Sequence, residues 1–145
     1  MTTGRYFKRE AVISVCGLVR TEGGEDRIEL ETGGVCCRNG DTRLILYEEK
    51  DPEGNGRIRN TVRICRGRAD VRKRGSVNSD MAFEKGCRQK SLYRTPYGVL
   101  ELEIDTKSLE FSDSETGMKL ELVYCLGMNG AAVSENRLCL QARYS

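Results

Sequence analysis

The chain has 145 residues, of which 38% are hydrophobic and 32% charged, and its formal net charge is +2. That balance suits one folded domain and argues against disorder, a membrane-spanning helix or a binder of nucleic acid by overall charge. Histidine and tryptophan are absent, so the commonest general base and metal ligand is missing.

Arg5, Lys8 and Arg9 precede an apolar run at 11–19. A basic flank before an apolar stretch has the outline of a secretory leader. The run is short, however, has no small-residue cleavage site and leads straight into Arg20. It reads as a first strand over 10–20, behind a loosely ordered terminus at 1–8. Further along, glycine and asparagine cut the chain at Gly23-Gly24, Asn39-Gly40, Asp51 to Gly56, Arg66-Gly67, Gly75-Ser76, Gly86 and Asn129-Gly130. Turns about 8–12 residues apart indicate an all-β sandwich or barrel. Asn-Gly suits a two-residue hairpin whose central residues both need positive φ.

The segments between turns alternate. In 27–36, Ile28, Leu30, Thr32 and Cys36 oppose Arg27, Glu29 and Glu31. In 57–66, Ile58, Asn60, Val62 and Ile64 oppose arginines and Thr61. In 99–105, Leu100, Leu102 and Ile104 oppose Glu101, Glu103 and Asp105, and 118–128 behaves likewise. This period of two, with one wet and one buried face, predicts antiparallel strands. Further strands are predicted over 42–49, 68–75, 79–85, 88–95, 107–112 and 131–144. The start of the last one, 131–137, would also accept a helix.

Closure into an up-and-down barrel hides sheet edges with short turns alone. The predicted fold is one all-β domain over 1–145, an antiparallel meander barrel of about 8–10 strands.

Tyr93-Arg94-Thr95-Pro96-Tyr97-Gly98 reads as strand, tight corner, strand, with Pro96 fixing one φ and Gly98 supplying conformational freedom. Together with Tyr47-Glu48-Glu49, Val71-Arg72-Lys73-Arg74-Gly75, Met81-Ala82-Phe83-Glu84-Lys85-Gly86 and Leu120-Glu121-Leu122-Val123-Tyr124, this segment resembles the YwiB-like family of small bacterial proteins. The resemblance covers about residues 10–144. It implies a calycin-type barrel, similar to lipocalins and fatty-acid-binding proteins. It implies no activity, substrate or catalytic residue.

An interior ligand site is expected near Glu48, Arg74, Tyr93, Thr95, Tyr97 and Tyr124. An arginine fork beside tyrosine hydroxyls can hold a carboxylate or phosphate. The bland alternative is a packed structural interior, with Arg74 paired to Glu48 and the tyrosines plugging one end. A second candidate is the basic stretch with Arg57, Arg59, Arg63, Arg66, Arg68 and Arg72, set against a predominantly acidic 99–121. Such a face can grip RNA or a protein partner, although it lacks aromatics for base stacking.

No enzyme is expected. A Ser–His pair is impossible without histidine, and Gly54-Asn55-Gly56-Arg57 lacks the lysine and helix of a phosphate loop. Glu48 and Glu49 point to opposite faces of a strand. No cofactor or metal is expected either, because the seven cysteines, at 16, 36, 37, 65, 87, 125 and 139, contain no CxxC. They read as small apolar residues of a reduced, cytoplasmic protein. The expected partner is a small amphipathic or anionic molecule bound by a monomer or homodimer, with nucleic acid second and no membrane.

Overall fold

The computed structural model describes residues 6–51 and 53–145 and contains ten strands. They are β1 (Tyr6–Thr21), β2 (Gly24–Asn39), β3 (Thr42–Lys50), β4 (Arg57–Cys65), β5 (Arg68–Gly75), β6 (Asn78–Glu84), β7 (Arg88–Thr95), β8 (Gly98–Asp113), β9 (Gly117–Met128) and β10 (Ala131–Tyr144). Each pairs with the next in sequence, and β1 pairs antiparallel with β10 to close the barrel. The expected meander is thus the observed one.

Two local expectations change in this frame and two hold. Phe7 and Lys8 lie within β1, so the ordered chain starts earlier than expected; residues 1–5 lie outside the described residues. The Asn39-Gly40 hairpin is shifted by one. Asn39 pairs with Thr42, so Gly40 and Asp41 form the loop, and only Gly40 has positive φ, at 61°. At Asn129-Gly130 both central residues do take positive φ, at 49° and 87°. The segment 131–144 is strand from its first residue, with a bulge at Val133 between Ala132 and Ser134.

The predicted strands 99–105 and 107–112 are one strand with a bulge. Thr106 pairs with Tyr124 and Ser108 with Val123, leaving Lys107 unopposed. Before it the inward residues are Leu102, Ile104 and Thr106; after it they are Leu109, Phe111 and Asp113. One extra residue inverts the parity of a strand, and the bulge absorbs it so that both apolar sets face the core.

Ile13, Ile45, Val62, Phe83, Ile104, Leu120, Leu122 and Leu140 fill the middle of the barrel and are almost wholly buried. Glycine admits close backbone approach at Gly34, where a Cβ would meet the Leu46 carbonyl oxygen and lie 2.7 Å from Ile13 Cγ1.

Closure is incomplete in two places. β2 pairs with β3 only over Gly34–Asn39, so among the described residues its stretch 24–33 has no partner on that side. Glu25, Asp26, Arg27, Glu29 and Glu31 line this edge, and charged edges resist strand addition. The β6–β7 ladder holds only Asn78–Arg94 and Ser79–Tyr93, so the hairpin splays beyond them.

Candidate functional site

The meander sorts inward polar residues to the two barrel ends. One end carries the β3–β4, β5–β6 and β7–β8 loops. There Glu49, Asn60 and Lys73 project inward from three adjacent strands. Lys73 Nζ donates to Glu49 Oε1 at 2.8 Å and to Asn60 Oδ1 at 2.7 Å, and Asn60 Nδ2 donates to Glu49 Oε1 at 3.0 Å. Burial, and then the Glu49 charge, push the Tyr47 hydroxyl well above its ordinary pKa. Burial followed by Glu49 and Asp51 raises Tyr93 as well. The triad satisfies itself, which suits a structural network.

Beside it, the splayed β6–β7 hairpin opens a cleft of about 490 Å³ lined by Arg74, Ser79, Asp80, Lys90, Ser91 and Arg94. Ser91 Oγ bridges the gap by donating to the Asp80 carbonyl at 2.6 Å. Ser79 Oγ is buried and has no hydrogen-bond partner among the described residues.

The opposite end, where β1 starts and β10 finishes, has a different character. A cleft of about 670 Å³ runs into the mouth, with Ile64, Leu109 and Phe111 as apolar wall and Arg43 and Asp113 as polar floor. Arg43 Nε donates to Asp113 Oδ2 at 2.6 Å, while its Nη1 donates to the Gly40 carbonyl at 2.6 Å. Arg38 Nε lies 3.4 Å from the same Oδ2, and its guanidinium stacks 4.2 Å from the centre of the Phe7 ring. Arg9 sits over the Tyr144 ring at 4.6 Å, and Phe7 meets Tyr144 edge to face at 5.9 Å. Two guanidinium groups, those of Arg38 and Arg43, therefore meet one carboxylate, with Arg9 held over the neighbouring Tyr144 ring.

Three buried polar atoms here, Arg38 Nε, Asp113 Oδ1 and Tyr144 OH, have no hydrogen-bond partner among the described residues. Orphaned buried groups are costly and ask for an occupant, water or ligand. Burial raises the Tyr144 hydroxyl, with Asp113 and Cys36 adding and Arg38 opposing. Burial, then Cys37 and Asp113, push the Cys36 thiol up to about 11, so it stays protonated. The cleft joins this apolar wall to four charged side chains, Asp41, Arg43, Arg66 and Asp113, and has a size suited to a small polar-headed molecule.

The sequence-predicted ligand residues are not gathered there, nor at one site. Glu48 points outward and reaches Arg57 at 3.7 Å. Arg74 also points outward and pairs with Asp80 at 3.0 Å rather than with Glu48. Thr95 is a turn residue: its Oγ1 accepts from the Tyr97 amide and donates to the Gly98 carbonyl. Tyr97 is the exposed tip of that hairpin. Tyr93 faces inward behind the β6–β7 cleft, across the sheet from Arg74. Tyr124 faces inward but packs on Phe83, with ring centroids 4.8 Å apart.

The basic stretch is diluted by acids. Arg57 pairs with Glu48, Arg66 with Asp41, Arg68 with Asp70 and Glu84, and Arg72 with Asp80. Only Arg59 and Arg63 of the six lack a carboxylate partner among the described residues.

Sequence reasoning missed the mouth. Its signal was a charge on the buried parity at a strand end: Arg38 in phase with Cys36, Arg43 with Ile45, Asp113 with Phe111. Tyr144 likewise shares the parity of the buried Leu140 and Ala142.

The fold matches the crystal structure of YwiB from Bacillus subtilis with a TM-score of 0.86, covering 100% of this chain and 99% of that one at 19% identity. The sequence is 27% identical over 121 residues to the uncharacterized β-barrel protein YwiB of Bacillus subtilis strain 168, spanning 81% of this chain and 83% of that protein. Residues 13–140 match the model of a domain of unknown function, DUF1934. The chain therefore belongs to the DUF1934 family of YwiB-like β-barrel proteins, whose function is uncharacterised.

Proposed function

We propose that this barrel is a non-catalytic binder of a small amphipathic anion, taken at the mouth formed by Arg9, Arg38, Arg43, Asp113 and Tyr144. The carrying observation is the group of three orphaned polar atoms set among guanidiniums beside an apolar wall. Arg38 and Arg9 stack on aromatic rings, and the only carboxylate that Arg38 reaches among the described residues is Asp113, which Arg43 already binds. The ligand's carboxylate or phosphate accepts from Arg38, its apolar part lies on Ile64, Leu109 and Phe111, and a donor on its head group meets Asp113 Oδ1.

A catalytic reading has less support. The inward carboxylates are committed to cations, Glu49 to Lys73 and Asp113 to Arg43. Binding of RNA or an acidic partner to the 57–74 face is also less supported, because carboxylates alternate with its arginines. Seven free thiols suit a reducing, cytoplasmic setting.

Calorimetric titration with dodecanoate and with phenyl phosphate tests the proposal. Binding of either by the native protein, weakened about tenfold or more in Arg38→Gln, about 1.4 kcal/mol, supports it. The pair Lys90→Ala and Arg94→Ala, at the other cleft, should leave the affinity unchanged. No heat with either probe, or equal affinity in Arg38→Gln, overturns it.

A further inference from the structure

β1 and β10 form the seam that closes the barrel, and their register sets Cys16 directly opposite Cys139. Cys16 is exposed and Cys139 half-buried, both on the outward parity of their strands. Opposed Cα atoms in an antiparallel pair lie about 4.5–5.5 Å apart. Disulfides span about 4.4–6.8 Å between Cα atoms. No other cysteine in the ladders faces a cysteine. Cys36 pairs with Arg9 and Ile45, Cys37 with Lys8 and Leu44, Cys65 with Thr42 and Arg68, and Cys125 with Asp105 and Glu135. Cys87 lies in the turn between β6 and β7.

We propose that Cys16 and Cys139 form a reversible disulfide site that staples the barrel seam when a low-molecular-weight disulfide such as oxidised glutathione accumulates. The inference is independent of the ligand proposal. Cys16, the accessible thiol, loses its proton to solvent and attacks one sulfur of oxidised glutathione. A mixed disulfide forms and one glutathione thiolate leaves. The Cys139 thiolate then attacks Cys16 Sγ, the Cys16–Cys139 bond forms, and the second glutathione leaves as thiolate. Two protein thiols are oxidised and one glutathione disulfide is reduced to two glutathiones. Burial raises the Cys139 thiol, Glu121 and Cys16 add to this, and Lys119 opposes it. Glu29 stands opposite Cys16 on β2. The raised thiol lowers the thiolate fraction available for the closing step. The bond joins the first and last strands, so it constrains nearly the whole unfolded chain, the case in which a crosslink restricts the denatured ensemble most.

The test incubates the full-length protein with oxidised glutathione, quenches with acid, digests with trypsin without reduction and reads the peptides by mass spectrometry. The expected product is an intramolecular link between the peptides 10–20 and 138–143, which carry Cys16 and Cys139. The linked protein should melt about 5 °C or more higher, a rise reversed by dithiothreitol and absent in Cys16→Ser and Cys139→Ser. Circular dichroism of both serine variants checks that they fold. Any of three results overturns the proposal: Cys16 carrying glutathione with no link, a link between two chains, or a link to any other cysteine.

Discussion

Replacing Lys73 with methionine keeps most of the side chain's length and removes its charge. In the native barrel the ammonium sits 2.8 Å from Glu49 Oε1 and 2.7 Å from Asn60 Oδ1. The variant leaves the Glu49 carboxylate with only the Asn60 amide, at 3.0 Å, and leaves Asn60 Oδ1 with no donor. Asn60 is 1% exposed, so its carbonyl cannot turn to water. Removing one partner of a fully buried ion pair costs roughly 3–5 kcal/mol. Here the Lys73 and Glu49 side chains keep 19% and 24% of their exposure, so screening lowers the charge component. The expected loss is about 2–3 kcal/mol, a sizeable part of the roughly 5–15 kcal/mol that holds a typical domain together. Urea denaturation should show a lower midpoint with an unchanged slope. The double variant Glu49→Gln with Lys73→Met should regain more than half of the loss, because it removes the uncompensated charge while keeping a hydrogen-bonding amide. A Lys73→Met protein within about 0.5 kcal/mol of native would refute the view that this triad is a satisfied interior network.

Gly34→Ala should destabilise by about 1–3 kcal/mol in the same assay, since the new methyl runs into the Leu46 carbonyl and the core side chain of Ile13. Equal stability would mean that β2 and β3 sit farther apart than described. Asp80→Asn tests an exposed pair. The Arg74 hydrogen bond holds Asp80 below its ordinary value of 3.8 against the opposing effect of burial, with the charges of Arg74 and Arg72 and the Arg72 hydrogen bond adding to the lowering. A depressed folded pKa contributes stability above the unfolded value that is lost as pH falls through the folded one. Asp80→Asn should therefore cost up to about 1 kcal/mol at pH 7, where screening is strong, and nothing at the acid end of the transition. A pH-independent difference would assign the effect to something other than that carboxylate.

Much of the fold was legible because alternation carries it. Leu102 and Ile104 against Glu101 and Glu103 admit one facing only, and the glycine turns leave no connection long enough for a crossover. Bulges were not legible. The switch of apolar parity from Ile104 to Leu109 reads equally as a break between two strands, and only the ladder with β9 shows Lys107 to be an insertion within one. The predicted ligand residues fail to come together for a related reason. Arg74 and Glu48 have the chemistry of an ion pair or an anion site, but strand parity sends both outward. Lys73 and Glu49, one residue along, are the inward pair.

By itself the sequence determined the class of the fold, the facing of most strands and the absence of imidazole chemistry, because these follow from local period and residue type. Tertiary structure alone decided which charges meet. Asp113 and Arg43 are seventy residues apart, and Cys16 and Cys139 belong to the first and last strands. Contacts of that kind depend on barrel closure and on the register of every ladder between them, which no local pattern encodes.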